Sequence, residues 1–411
     1  MSMKQKRILI LGGNVIQAEA TMTAKRLGYY VISCDLHEDN PGHKIADEYC
    51  KIDIADRDAV LKEALRLHID GIVPYGSDAL AATASYVAGQ MGLPGNTYQS
   101  VNILTHKDQF RSFLRDNGFA TPWSESFSDT DRAKEYLDAR KSEANGRLTA
   151  IMKPVDSAGS RGVFRITESD DIGKYWDTAI SYSTSGRIII EEFIEKTGPQ
   201  VDGDVFVHDG RIIFAGFVDQ HHVAGPSELV PVSLSAPSEH PDEVINLALS
   251  ELQRLFSLLN FKSGPCNVEF IVGKDGRIYF IDLGPRNGGF NIPYLEKEAY
   301  GFDEDVFTIL EAAGDNIPEW NSVFGNIDRH NCVMYYRPYP EQDGIFESLW
   351  MSDKFRASVI KVIQLMKPGQ EINRKHNGND SAAVVFARFD NNEEMQAVIR
   401  NMSQHLRVIV R

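Results

Sequence analysis

The chain has 411 residues, 42% of them hydrophobic and 25% charged, with a formal net charge of −15 and a pI near 5.2. That length calls for roughly two to four domains of ordinary soluble composition, and the acidity argues against a nucleic-acid binder, which presents a basic face. No run approaches the ~20 apolar residues of a membrane span, and the five-residue apolar run after Lys6 is too short for a signal-peptide core, so a cytoplasmic protein without membrane partners is expected.

Residues 7–95 alternate strand-like and helix-like segments with a short period. Arg7–Leu11 is an apolar run, Ala18–Leu27 a helix closed by Gly28, and Tyr30–Asp35 a second strand. A capped helix over Asp56–Leu67, a strand over Gly71–Pro74 and a helix over Ser77–Gly89 complete a doubly wound parallel sheet. The loop Gly12-Gly13-Asn14 follows the first strand, but Val15, Ile16 and Gln17 come next and break the GxGxxG spacing, so close packing of strand and helix is favoured over a dinucleotide site, despite Asp35 at the end of the second strand.

Beyond Leu93-Pro94-Gly95-Asn96, Thr105-x-x-Asp108 reads as the cap of a helix that runs to Asn117-Gly118. A polar helical stretch (Asp129–Ala144) precedes a strand at Leu148–Lys153. Pro154–Gly162 is a loop of small residues and Val163–Ile166 resumes an extended pattern, which fits a β-hairpin with a long tip. A P-loop, by contrast, must run into a helix and end in Gly-Lys-Ser/Thr. Arg187–Ile194 is a strand turning acidic at Glu191-Glu192, Val205–Val218 a hairpin around Asp209-Gly210, and Pro241–Leu259 an amphipathic helix. From about Asn326 strands and helices mix around turns at Lys367-Pro368-Gly369 and His376-Asn377-Gly378. The four cysteines, Cys34, Cys50, Cys266 and Cys332, lack CxxC spacing and read as buried free thiols. His221 and His222 are adjacent in an extended segment and point to opposite faces, so they do not chelate together.

Residues 264–289 carry the chemistry. With Asp275-Gly276 as a two-residue turn, Lys274 faces Arg277 and Glu269 falls directly opposite Asp282. A four-residue turn over Gly273–Gly276 would instead set Asp282 opposite Asn267, with all three polar side chains still on one face. Opposed residues on a sheet have Cβ atoms roughly 5 Å apart, where like charges repel, so a cation should sit between them. Two such oxygen donors suit Mg²⁺, which takes one or two carboxylates and completes its octahedron with water and phosphate oxygens.

Taken in order, Lys107, Lys153, the loop Ser157–Gly162, Glu191-Glu192-Phe193-Ile194, Glu269, Asp282 and Arg286 resemble the ATP-grasp superfamily over almost the whole chain, in the branch that holds carbamoyl-phosphate synthetase, the purine-pathway ligases and L-amino-acid ligases. The resemblance implies an α/β and α+β multidomain fold: a Rossmann-like first domain over 1–104, a two-lobed ATP-grasp domain over 105–325 with its lid at about 120–193, and a small mixed C-terminal domain over 326–411. It implies ATP with Mg²⁺, or Mn²⁺ in its place, held between two antiparallel sheets.

By the same resemblance, Lys107 and Lys153 flank the nucleotide, and the backbone N–H groups of Ser157, Ala158, Gly159, Ser160 and Gly162 close over the phosphates. Glu191, Glu192, Phe193 and Ile194 form the hinge at the adenine, Glu269 and Asp282 hold the metal, and Arg286 steadies the transferring phosphoryl group. Three positions depart from the pattern. Asp282 replaces a glutamate, Gly284 replaces an asparagine, leaving Asn267 and Asn287 as candidate substitute ligands, and Gln200 stands where a glutamate is common. The implied activity is ATP-dependent joining of a small carboxylate to an amine through an acyl phosphate, with release of ADP and phosphate. The alternatives are phosphorylation of bicarbonate or formate and a non-catalytic ATP-binding regulator. Homodimerisation is a further expectation from the resemblance.

Overall fold

The computed structural model describes residues 5–143, 147–168, 170–223, 229–289, 291–320, 322–323, 332–374 and 381–411. Strands Arg7–Leu11, Tyr30–Asp35, Glu48–Lys51 and Gly71–Val73 pair in parallel, with Arg7–Leu11 between Tyr30–Asp35 and Gly71–Val73. Continuous apolar runs are what a sheet covered on both faces requires. Leu9, Leu11 and Ile32 meet the helices Arg57–Leu67 and Asp78–Met91. Ile8, Ile10 and Val31 meet the helix Val15–Arg26 and, from far along the chain, Ile309 and Ala313 of and after the helix Glu304–Ala312.

The Gly12-Gly13-Asn14 turn is taken up by local packing. Asn14 accepts from the Ile16 N–H at 2.8 Å while its own N–H donates to Gln17 at 3.2 Å. The His43 ring lies directly over Gly13, where a Cβ would meet it at 2.2 Å, and His43 also bonds Asp35 at 3.0 Å. The position at which a dinucleotide would approach the loop is filled by protein. Thr105 does not cap the helix Lys107–Asp116; it ends the preceding helix Tyr98–Thr105, with its hydroxyl bonded to the Val101 carbonyl at 3.0 Å.

Four antiparallel strands, Ser124–Phe127, Ile188–Glu192, Thr149–Pro154 and Phe164–Thr167, form a separate small sheet. Its last two strands are the expected hairpin, with the glycine loop as its tip. Below it lies a ten-stranded sheet in which Gly264–Val272 pairs with Asp204–His208 and Gln200–Asp202 on one edge and with Ile278–Gly284 on the other. The helix Asp242–Leu259 buries Ala248, Leu252, Leu255 and Phe256 against it.

The last stretch is mixed α and β, but the division expected near residue 326 does not interrupt the sheet. Cys332–Tyr336 pairs with Ser233–Ala236, and Ala383–Phe389 and Val359–Gln364 continue outward from it. A smaller three-stranded sheet, Gly344–Met351 between Glu371–Ile372 and Leu406–Val410, lies beside it. The turn expected at His376–Gly378 lies outside the described residues, as does Ala144 at the expected end of the polar helix, which here spans Thr130–Glu143. All four cysteines are buried and free.

Candidate active site

The hairpin register is Glu269 opposite Asp282, although the turn is not the two-residue one. Gly276 donates its N–H to the Gly273 carbonyl and has φ +77, while Gly273 pairs with Arg277, which makes a three-residue loop. That loop alone would shift the strands by one residue and turn Asp282 to the opposite face. A bulge between Glu269 and Phe270 takes up the extra residue and restores the pairing.

The two carboxylates have different surroundings. Burial, Asp202 and Asp282 push Glu269 up to about 8, and Gln200 donates to it at 2.9 Å. Burial also acts on Asp282, but Lys107, Lys153 and Arg286 outweigh it and hold its carboxyl below the usual range. Two carboxylates that cannot both be charged without a counter-ion fit a divalent metal between them. Lys107, only 7% exposed, supplies part of that charge: its ammonium lies 3.1 Å from Asp282 and donates to the Ser157 carbonyl at 2.9 Å.

The lysine, the metal pair and the glycine loop are thus brought together. In that loop the Ser157 hydroxyl is buried without a hydrogen-bond partner, and Gly159, Ser160 and Gly162 have φ of +68, +57 and +71. Ala158 accepts from Arg161 at 3.1 Å and Ser160 donates to the Leu229 carbonyl at 3.4 Å.

Lys153 lies under the loop, and its partner is Glu191. Burial lowers the Lys153 pKa, and Glu191 only partly opposes it. Burial would raise Glu191, yet Arg111 and Lys153 pull it down to about 2. Arg111, 1% exposed, binds Glu191 at 2.9 Å and donates to the Phe280 and Ile281 carbonyls at 2.9 and 2.8 Å, pinning the strand Ile188–Glu192 to the Glu269–Asp282 hairpin. The Glu191 side chain therefore belongs to this ion cluster. Further along the hinge, the Glu192 N–H donates to the Trp123 carbonyl and the Phe193 N–H to Thr149, while the Ile194 N–H has no hydrogen bond among the described residues.

Arg286 sits at the other end of the site. Its Nε donates to Asp78 at 2.7 Å, across 208 positions, and its NH1 to the Asn287 carbonyl at 3.2 Å. Burial disfavours its charge, but Asp78, Asp204 and Asp282 secure it. This pair explains Gly284. A Cβ there would meet Asp78 Oδ1 at 2.5 Å and the Arg286 guanidinium at 2.7 Å, so the space beside Gly284 is filled by the ion pair. Both clashing groups are side-chain tips that can yield. Gly284→Ala is expected to fold with a near-wild-type melting temperature while turnover falls at least about tenfold, as misplaced reacting groups do. Unchanged turnover would show that the pair's position is immaterial.

Asn267 is engaged by Asp202 at 3.0 Å and Asp204 at 2.9 Å, and Asn287 donates to Thr308 at 2.9 Å. Neither faces Asp282 through a hydrogen bond. His221 bonds Ser235 at 2.7 Å. Burial and then Lys196 depress it from 6.5 to about 4. The unfolded chain takes up this proton near 6.5 and the folded one only near 4, so stability should decline as pH falls through that window. His221→Gln should flatten the decline in urea midpoints measured across it.

Sequence reasoning missed Asp78, Arg111 and Asp202. Arg111 had a signal, since it lies four residues after Lys107 and so on the same helix face. Asp202 is spaced by two from Gln200 on one strand. Asp78 had none, because its role depends on contact between distant parts of the chain.

Residues 147–293, which span the small sheet's hairpin, the hinge and the metal hairpin, match the family model for the ATP-grasp domain. Those residues form an ATP-grasp domain. The chain is 26% identical over 291 residues, 70% of its length and 71% of the relative's, to a formate-dependent phosphoribosylglycinamide formyltransferase of Parasynechococcus marenigrum. Likeness of fold to solved structures extends over the whole chain. An L-amino acid ligase from Bacillus licheniformis superposes with a TM-score of 0.79 at 20% identity, covering 100% of both chains. A phosphoribosylglycinamide synthetase from Anaerococcus prevotii gives 0.76 at 19%, covering 99% and 100%. No helix among the described residues is long and apolar enough to cross a membrane.

Proposed function

We propose that this ATP-grasp chain activates a carboxylate with ATP and passes the acyl group to an amine. The observation that carries the reading is the convergence of Lys107, Lys153, the glycine loop, the Glu269–Asp282 pair and Arg286 on one cleft between two sheets. ATP would lie between the small sheet and the metal hairpin, with its adenine at the Ile194 N–H and its phosphates under the loop 157–162. Glu269 and Asp282 would hold Mg²⁺, which neutralises phosphate charge when bound.

In the first step a carboxylate oxygen attacks the γ-phosphorus and the bond to ADP breaks. In the second, the amine nitrogen attacks the acyl carbon, phosphate leaves and the nitrogen gives up a proton. Such transfer depends on position and fixed positive charge rather than on covalent help. Arg286, held in place by Asp78, would contribute both. A cleft opens beside Arg286 against the first domain, lined in part by Val73, Pro74, Ala81, Ser85 and Thr308, and is the proposed seat of the acceptor. The three-part division at 104/105 and 325/326 is proposed as a division of labour, with the 120–193 lobe as the lid.

The narrower reading, in which the acid is formate, is favoured by the 26% identical relative. The reading is tested by following Mg²⁺-dependent ADP and phosphate release over formate, bicarbonate, amino acids and other small acids, alone and paired with amines. A pair-specific signal supports ligation, bicarbonate-dependent release without an amine supports the carbonate branch, and ATP binding without turnover for any pair supports a regulator.

A further inference from the structure

A second group of acids lies next to the Arg286 loop and takes no part in the chemistry above. Asp204, Glu296 and Glu304 are all 0% exposed, and each offers a carboxylate oxygen within 4.8 Å of the others. They come from three elements, the strand Asp204–His208 and the helices Ile292–Tyr300 and Glu304–Ala312. Asp204 is satisfied: it accepts from Asn267 at 2.9 Å and from the Gly288 N–H at 2.6 Å. Glu296 accepts from the Asp204 N–H at 2.6 Å through Oε1 alone.

The rest of the inventory is open. Glu296 Oε2, both oxygens of Glu304 and Oδ1 of Asn287 are buried without a hydrogen-bond partner, and Asn287 is itself 0% exposed with its amide beside Glu304. A buried carboxylate with unpaired oxygens is costly, and with the Asn287 amide beside Glu304 as a partial donor, the open oxygens of Glu296 and Glu304 still call for a cation. Burial and the neighbouring acids push both Glu296 and Glu304 up, and Arg286 acts on the cluster through Asp204.

We propose that Asp204, Glu296, Glu304 and Asn287 form a second cation site, separate from the Glu269–Asp282 pair, that takes a hard divalent ion through oxygen alone. The donor set contains neither sulfur nor imidazole and so disfavours zinc. Oxygens on opposite sides of an ion at about 2.4 Å stand about 4.8 Å apart, the calcium regime, whereas around magnesium at about 2.1 Å they close to about 4.2 Å. Oxygens within 4.8 Å of one another admit either ion, so calcium, manganese and magnesium are the candidates. Asn287 and Gly288 follow Arg286 directly, so the ion would fix the base of the arginine loop to both helices. The inference does not depend on the ATP reading.

The test uses the full chain with the first site disabled by Glu269→Gln and Asp282→Asn, stripped with chelator and titrated calorimetrically with Ca²⁺, Mn²⁺ and Mg²⁺ in the absence of nucleotide. One ion per chain is expected, together with a rise in the thermal midpoint on adding it. Adding Glu304→Gln should weaken that binding by about a hundredfold or more, since even outer-shell changes cost about 10–100-fold. The competing explanation is that the three carboxylates share protons. It predicts no bound ion and no thermal shift in the double variant, and a Glu304→Gln chain at least as stable as its parent. Either the missing ion or the missing shift overturns the proposal, even if the triple variant fails to fold.

Discussion

Replacing Arg286 with alanine is expected to cut ADP release about 10²–10³-fold while ATP affinity changes little, the loss typical of removing one preorganised donor from developing charge. The guanidinium is buried and fully charged, and Asp78 fixes its Nε at 2.7 Å. Its effect should therefore fall on turnover rather than on nucleotide binding, which the proposed function assigns to Lys107, Lys153 and the glycine loop. The informative comparison is between Arg286→Ala and Asp78→Asn in kcat and KM. The arginine variant should lose turnover with either substrate concentration saturating. The aspartate variant keeps the charge but loosens its position, and should retain part of the rate. Equal ADP release by wild type and Arg286→Ala would remove the residue from the phosphoryl-transfer step.

The second large effect is on stability. Glu191 is paired with both Lys153 and Arg111 in a setting where none of the three is more than 5% exposed at its side chain. Glu191→Ala leaves two buried cations without a counter-charge and is expected to cost about 3–5 kcal/mol, measured as a lower urea midpoint. The sign with pH follows from its depressed pKa. The unfolded carboxyl titrates near 4.5 and the folded one near about 2, so this stabilisation is present above 4.5 and is lost as pH falls toward 2. Wild type and variant should therefore differ most above pH 4.5 and converge in strong acid. A constant gap across that range would mean that Glu191 acts through packing and not through charge.

Much of the site was legible because it is built on regular elements. The Glu269–Asp282 facing follows from strand alternation, and the correct register emerged even though the turn is one residue longer than expected, because the bulge at Glu269/Phe270 compensates for it. A bulge leaves little local sequence signal, so the agreement depended on the face being right. Lys107 shows the opposite case. By itself it reads as an exposed helix lysine, and only the fold draws it to 7% exposure beside Asp282.

The parallel sheet of the first domain follows from its apolar runs and helix caps. The course of the central sheet past Ser233–Ala236 does not, since pairing between strands about a hundred residues apart is set by packing and not by local pattern. The buried acids Asp204, Glu296 and Glu304 were invisible for the same reason. Glutamates in the first turn or middle of a helix ordinarily face water, and nothing near them in the chain marks these as interior.

The helix Glu304–Ala312 carries one further consequence. Ile309 and the adjoining Ala313 cover Ile8, Ile10 and Val31, residues made some three hundred positions earlier. During synthesis the N-terminal sheet emerges first, with one apolar face covered only in part by the helix Val15–Arg26, and its cover is not complete until the ribosome has released residue 313. At about 5–20 residues per second, that is an interval of roughly 15 to 60 seconds in which the nascent chain offers a hydrophobic surface to chaperones or to its neighbours.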